Sequence, residues 1–384
     1  MKWREYCLDE MIHIKHGYAF KGEFFSEKPT DDILLTPGNF SIGGGFKAQK
    51  LKYYNGEFPV DYILDENDVI VTMTDLSKEA DTLGFSAKVP AWHGKRFLHN
   101  QRIGLVSLKT DDFDLNYLYW LMRTYSYQRF VANGATGATV KHTSPSKICQ
   151  YKFTAPENKT TQRRIASILS AYDVLIENNL KRIKLLEEKA FLSYKLIVKS
   201  ETLEEYTIDE LVNVVMGQSP TSDTYNEEKE GLPFHQGVTN FSNYFVEHKI
   251  YCKTPIKIAE AGDILFSVRA PVGRMNFTND RICIGRGLCA FRSKKGFQNF
   301  FYHQLKEYFF KEDVIGNGAI FNAVTKVELM KVKLKAPSQK NQSEFEKEAQ
   351  VIYNLILNLT KQNTKLREAR DILLPRLMSG EIEV

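Results

Sequence analysis

The sequence predicts two mixed α/β (α+β) globular heads, each followed by a long helix, with the two helices paired as an antiparallel coiled coil. Three observations predict it: the chain is written twice, the spacing between the copies drifts and then becomes constant, and the constant part has helical periodicity. Leu8-Asp9-Glu10-Met11-Ile12 recurs as Ile208-Asp209-Glu210-Leu211-Val212, and Gly17 as Gly217, at an offset of 200. Asp68-Val69-Ile70-Val71-Thr72 recurs as Asp263-Ile264-Leu265-Phe266-Ser267 at 195, and Ala155-Pro156 as Ala336-Pro337 at 181. The offset of 181 is read as continuing through Tyr172/Tyr353, Lys184/Lys365, Glu187/Glu368 and Lys195-Leu196/Arg376-Leu377. Length is free in the first part of each copy and fixed in the second, as in a variable head on a rod. A duplication retained only for packing would leave the same trace.

In order, the expected parts are a first head (1–155), a central spacer helix (156–200), a second head (201–337) and a C-terminal spacer helix (338–384). Strand-like runs in the heads include Asp68–Thr72, Ile103–Leu108 and Ile264–Val268, punctuated by Gly, Asn and Pro. Gly43-Gly44-Gly45 reads as a flexible loop, and Gly262-Asp263 as a turn opening into a buried strand. Leu115–Phe130 and Phe297–Phe310 read as matching helices, before the loops Gly134–Gly137 and Gly316–Gly318. From Thr160 to Lys199 there is no Pro or Gly, and Ile165, Ile168, Tyr172, Leu175, Ile176, Ile183, Leu186 and Ala190 keep a 3–4 spacing. One helix of about 38 residues would be about 57 Å long. The C-terminal segment repeats the pattern through Phe345, Ala349, Ile352, Ile356, Leu359, Leu366 and Leu373. Stripes this narrow suit a two-helix seam, in which Asn179, Asn363 and Arg370 are polar interruptions that fix register. Two repeats related by a two-fold axis would carry their heads at opposite ends of the pair. The plainer alternative is that each helix packs only on its own head.

Composition excludes several classes. No apolar run reaches the roughly 18 residues of a membrane span, and the first residues lack the apolar stretch of a secretory leader. Five cysteines without a C-x-x-C pair fit reduced thiols in the cytoplasm. Net charge is +5, made up of +1 over 1–155, +4 over 156–200 and 0 over each of the last two parts, which alone does not point to nucleic acid. There is no phosphate loop, no H-E-x-x-H, no zinc spacing and no Asn/Asp-Pro-Pro-aromatic loop of adenine methyltransferases. His13-x-x-His16 could share a helical face, but eight scattered histidines make chance the better account. The chain therefore reads as a binder with no catalytic residues and no metal.

Three segments resemble type I restriction–modification specificity (S) subunits, and the resemblance spans the chain. Thr161–Ser170 (TQRRIASILS) is similar to the start of that family's central helix. Gly262–Gly273 (GDILFSVRAPVG) is similar to the core strand and turn of a target-recognition domain, and Leu366–Ile382 (LREARDILLPRLMSGEI) to the family's C-terminal ending. The second helix departs from the pattern, with Ser343-Glu344-Phe345-Glu346 in place of Gln-Arg-Arg-Ile. The resemblance implies that each head reads half of a bipartite double-stranded DNA site, with the helices as a ruler. It also implies partners: methyltransferase subunits, two of them, that use S-adenosylmethionine, and restriction/translocase subunits that use ATP and Mg. No cofactor is bound by this chain. A recognition chain of a type II-like modification system and a coiled-coil adaptor whose near-neutral heads bind proteins are the competing readings.

Candidate DNA contacts follow from residue chemistry. In the first head Lys47, Gln49, Lys50, Lys52 and Tyr53 combine phosphate-anchoring ammonium groups with polar or stacking groups after the glycine loop. In the second, Arg269, Arg274 and Arg286 sit beside turns, and Arg is the commonest reader of guanine. Arg269 could instead pair with a carboxylate of its own head. Lys141 and Asn317 lie in or after matching loops. Thr74 stands where Arg269 does, which argues against a shared role for that position.

Overall fold

The computed structural model describes residues 2–77, 79–309 and 323–384. The chain divides into two compact units, Met1–Glu177 with Asn363–Val384, and Asn178–Gln362, so each unit holds one head and half of each long helix.

In the first unit a four-stranded antiparallel sheet runs in the order Ile12–His16, Ile103–Leu108, Val69–Thr72, Ser86–Lys88. A five-stranded sheet beside it contains Arg96–Leu98 parallel to Asp32–Leu34. Val69–Thr72 is buried on both faces, which is why it reads as an unbroken apolar run. Val69 and Val71 pack towards Trp120 and Leu169, whereas Ile70 packs between the sheets with Ile33, Phe97 and Ile103. The strand Trp3–Cys7 pairs with Lys152–Pro156, which leads into the central helix.

The second unit repeats this topology strand for strand: Val212–Met216, Leu288–Ser293, Ile264–Ser267, Met275–Phe277 in one sheet, and Ile282–Ile284 parallel to Leu232–His235 in the other. Ile264 and Phe266 face the helices and Leu265 the inter-sheet core, as their counterparts do. Asp263 closes the turn before this strand, its carboxylate accepting from the Glu260 amide at 2.8 Å and from Arg292 Nε and Nη2 at 2.8 Å each.

The central helix is Lys159–Ser200 and the C-terminal helix Gln339–Met378. In the first unit they run antiparallel, with Asp173 on Arg370 (2.5 Å) and the Ile176 carbonyl accepting from Asn363 Nδ2 (3.5 Å). In the second, Lys189 meets Glu348 (3.1 Å) and Glu201 accepts from the Ser338 amide (3.0 Å), again antiparallel. No helix among the described residues is long and apolar enough to cross a membrane.

Three expectations are corrected. The helices correspond at an offset of 180, not 181: Gln162/Gln342, Ile165/Phe345, Leu169/Ala349, Ile176/Ile356, Asn179/Leu359, Ile183/Asn363 and Tyr194/Leu374 are all buried pairs. Gln162 and Gln342 each donate to the carbonyl of the preceding proline, Pro156 or Pro337, and the second linker is one residue shorter. The stretch Leu115–Phe130 is two helices, Leu115–Leu121 and Tyr125–Asn133, because Thr124 adopts an extended conformation and caps the second. Gly43–Gly45 is no loose loop. All three residues have φ between +82° and +90°, and the turn clasps Arg123, which donates to Gly43 O at 3.0 Å.

Candidate nucleic-acid interface

In the first unit the chain leaves Arg96–Leu98 and turns through His99-Asn100-Gln101-Arg102 into Ile103–Leu108. Gly17 lets this turn close, since a Cβ there would lie 2.1 Å from the Asn100 carbonyl oxygen. The Gly17 and Tyr18 amides donate to Ile103 O (3.3 Å) and His99 O (2.8 Å), and the Gln101 amide donates to Tyr18 O (2.9 Å). His99 is buried, with Nε2 2.9 Å from Ile103 O. Burial, assisted by the charges of Lys15 and His16, lowers its pKa to about 4, so the ring is neutral at physiological pH. Lys15 lies 4.6 Å over the Tyr62 ring, which packs 5.3 Å from Tyr18. A lysine among tyrosines beside an exposed amide, Gln101, and an exposed guanidinium, Arg102, suits contact with nucleic acid. His13 and His16 lie on the strand Ile12–His16, not on a helix, and no group of His, Cys, Asp or Glu among the described residues could hold a metal ion.

The second unit builds the same turn from different residues. A Cβ on Gly217 would lie 2.1 Å from Gly285 O, and the Gly217 and Gln218 amides donate to Leu288 O (2.9 Å) and Ile284 O (3.0 Å). The Arg286 amide donates to Ser219 Oγ (3.2 Å), whose hydroxyl donates to Gln236 Oε1 (2.7 Å). Arg286 is exposed at the tip.

A second turn flanks each of these. The Val268 amide donates to Gly287 O (3.0 Å), setting the Arg269 turn beside Arg286. Ser267 Oγ donates to Pro271 O (2.6 Å) and accepts from the Arg274 amide (2.9 Å), which locks the turn on which Arg269 and Arg274 stand exposed. Among the described residues Arg269 makes no ion pair; Asp263 takes Arg292 instead. In the first unit the Met73 amide donates to Arg102 O (2.9 Å), and Thr74 pairs with His142 where Arg269 pairs with Ala323. Thr74 is thus the structural counterpart of Arg269. Half-buried Lys141 lies next to it, across from Asp75. Burial alone would raise the Asp75 pKa, but hydrogen bonds from Thr82 and Ser77 outweigh it and keep the carboxylate ionised.

The structure therefore brings Arg269, Arg274 and Arg286 onto adjoining turns and sets Lys141 beside the corresponding turns of the first unit. Lys47, Gln49 and Lys50 are exposed on the segment before the strand Lys52–Tyr54, on which Lys52 is exposed and Tyr53 half-buried; that strand lies two strands from Arg96–Leu98 in the five-stranded sheet. Among the described residues no hydrogen bond or ion pair joins that segment to the Gln101 turn. Asn317 lies outside the described residues. The sequence reading passes over Gln101 and Arg102. Its available signal was the recurrence of Gly17 as Gly217, a glycine against which another stretch of backbone must close.

Both copies of the repeat match the type I restriction modification DNA specificity domain, over residues 1–188 and 200–368. This chain belongs to the type I restriction–modification specificity family. Against a Methanocaldococcus jannaschii protein assigned as the type I restriction enzyme MjaX specificity subunit, it is 31% identical over 323 residues, 77% of this chain and 75% of that one. Against the MjaIX specificity subunit of the same organism, identity is 23% over 306 residues, 70% and 69% of the two chains. The crystal structure of the specificity subunit from M. genitalium shares the fold, with a TM-score of 0.63 at 18% identity over 98% of this chain and 96% of that one. The adaptor and type II-like readings are not favoured.

Proposed function

We propose that this specificity subunit reads two unlike DNA half-sites, one with each head, through base edges in the major groove. The observation that carries this reading is one turn framework built twice under different tips, Asn100-Gln101-Arg102 in one unit and Gly285-Arg286-Gly287 in the other, each with its middle residue exposed. Lys47, Lys50, Lys52 and Lys141 would anchor phosphates, with Gln49 and Tyr53 as polar or stacking contacts. Arg269 and Arg274 would join Arg286 at the second half-site, with Asn317 as a further contact there. The helices would act as the ruler between half-sites and as the dock for two methyltransferase subunits, which flip an adenine from the stack. In this reading S-adenosylmethionine belongs to those subunits and ATP and Mg to restriction/translocase subunits. This chain would then bind no cofactor and perform no chemistry of its own. Five free thiols, four of them buried, suit the reducing cytoplasm.

The test is a map of methylated adenine in DNA from cells expressing the methyltransferase partner with and without this chain. A split, asymmetric motif with a fixed gap, present only with the chain, is expected. An active complex that marks no such motif would refute the proposal.

A further inference from the structure

The two heads share a framework at one exposed position and differ in the side chain it displays. Gln101 and Arg286 occupy the same place. Each follows the residue whose carbonyl oxygen a glycine Cβ would strike, Gly17 on Asn100 and Gly217 on Gly285, both at 2.1 Å. Each stands between the amide contacts that hold the turn, with His99 O and Ile103 O accepting in one head and Ile284 O and Leu288 O in the other. Both turns run from a strand that lies parallel to its neighbour into the central strand of the four-stranded sheet, Arg96–Leu98 to Ile103–Leu108 and Ile282–Ile284 to Leu288–Ser293. The backbone of both tips is pinned, by Tyr18 O at 2.9 Å for Gln101 and by Ser219 Oγ at 3.2 Å for Arg286.

The side chains, by contrast, are uncommitted. Both are exposed, and among the described residues neither makes a side-chain hydrogen bond or an ion pair. A long polar side chain free at the tip of a rigid turn is poorly explained as fold maintenance, because the turn is held through its backbone. It matches what base reading requires, a donor–acceptor group presented from a support that does not move. The residue types decide between bases. The planar amide of Gln donates to N7 and accepts from the N6 amino group of adenine, whereas a guanidinium donates twice to O6 and N7 of guanine. Nearby groups of the first head, Lys15 over Tyr62 and the exposed Arg102, fit the phosphate and sugar contacts that position such a reader.

Resting on the DNA-reading function proposed above, we infer that Gln101 and Arg286 are equivalent specificity-determining residues, Gln101 reading an adenine in one half-site and Arg286 a guanine in the other. The complex of the whole chain with its methyltransferase partner, carrying Gln101→Arg or Arg286→Gln, tests this by methylated-adenine mapping and by competition binding to duplex DNA at fixed salt. Gln101→Arg should turn one required A·T pair of a single half-site into G·C, a change in preference of about tenfold or more, and leave the other half-site and the gap as they were. Arg286→Gln should do the converse in the opposite half-site. If either exchange abolishes modification, Gln101→Ala and Arg286→Ala provide the second reading, and discrimination should disappear at that one pair only. An unchanged motif overturns the inference while the DNA-reading function stands. So does uniform weakening on all sequences with a smaller salt slope, the mark of a phosphate contact. A wild-type complex with no split motif overturns the function itself, and the inference with it.

Discussion

The two units seat their heads on the helices through the same joint made of opposite chemistry. In the first, Asp173 of the central helix lies between Arg370 of the C-terminal helix (2.5 Å) and Arg123 of the head (2.7 Å). Arg123 is only 5% exposed. It also donates to Tyr119 Oη (2.7 Å) and Gly43 O (3.0 Å), with its guanidinium 4.3 Å over the Trp120 ring. In the second unit, at the offset of 180, Tyr353 replaces Asp173 and buried Ala190 replaces Arg370. The small alanine goes with an aromatic cluster in which Tyr353 lies 5.6 Å from Tyr244 and 6.0 Å from Tyr302, and pairs through its hydroxyl with His303 Nε2 at 3.0 Å. Tyr244 sits on the loop that corresponds to the glycine turn and bonds to Glu187 of the central helix. A duplicated joint can thus change from ionic to aromatic provided its volume is filled and its polar groups are paired. Its response to mutation then changes too.

The largest expected effect comes from Asp173→Ala, which leaves the buried Arg123 without its counter-ion. The loss should be about 3–5 kcal/mol in urea unfolding. Tyr353→Phe at the matching position should cost only about 1 kcal/mol, the worth of one hydrogen bond. Equal losses would mean that the two joints do not differ in kind. Next comes Gly44→Ala. Its φ is +84°, and an added Cβ would lie 2.7 Å from Arg123 Cγ, so a loss of about 2 kcal/mol is expected. No change would show that the turn and Arg123 are not coupled.

A further effect concerns acid. Burial first, and then the charge of Lys306, lowers the His303 pKa to about 3. Unfolding restores a value near 6.5, so the unfolded chain takes up a proton that the native chain refuses. Stability from this group is complete above about pH 6.5 and is lost progressively as pH falls towards 3. Trp120, which donates to Ser170 Oγ at 3.0 Å, faces the helix at the comparable joint of the first unit and cannot titrate. Between pH 7 and pH 5 the wild type should therefore lose on the order of 1–2 kcal/mol more than His303→Gln. Parallel pH profiles would contradict this source of acid sensitivity.

Much of the fold was legible because the repeat was. The matches Ile12/Val212, Ile70/Leu265 and Ala155/Ala336 are structural equivalents, and both long helices lie where periodicity placed them. The one-residue slip in the helices was hidden because chance identities such as Tyr172/Tyr353 favoured 181. Only burial, with Gln162 and Gln342 on equivalent proline carbonyls, reveals 180. Arg370 was visible as a polar interruption of the seam, but its partners were not, since Arg123 is far away in sequence and reaches it only through Asp173. The arginines of the second head were legible from residue type beside turns. Gln101 was not, because an amide in a loop is unremarkable until its turn is superimposed on that of Arg286.

If two heads of one framework read unlike half-sites, exchanging one head for the other must change the site. The most direct test is a chain in which residues 201–337 replace the first head, co-expressed with the methyltransferase partner and mapped for methylated adenine. An inverted repeat of a single half-site is expected. Retention of the original asymmetric motif would contradict it.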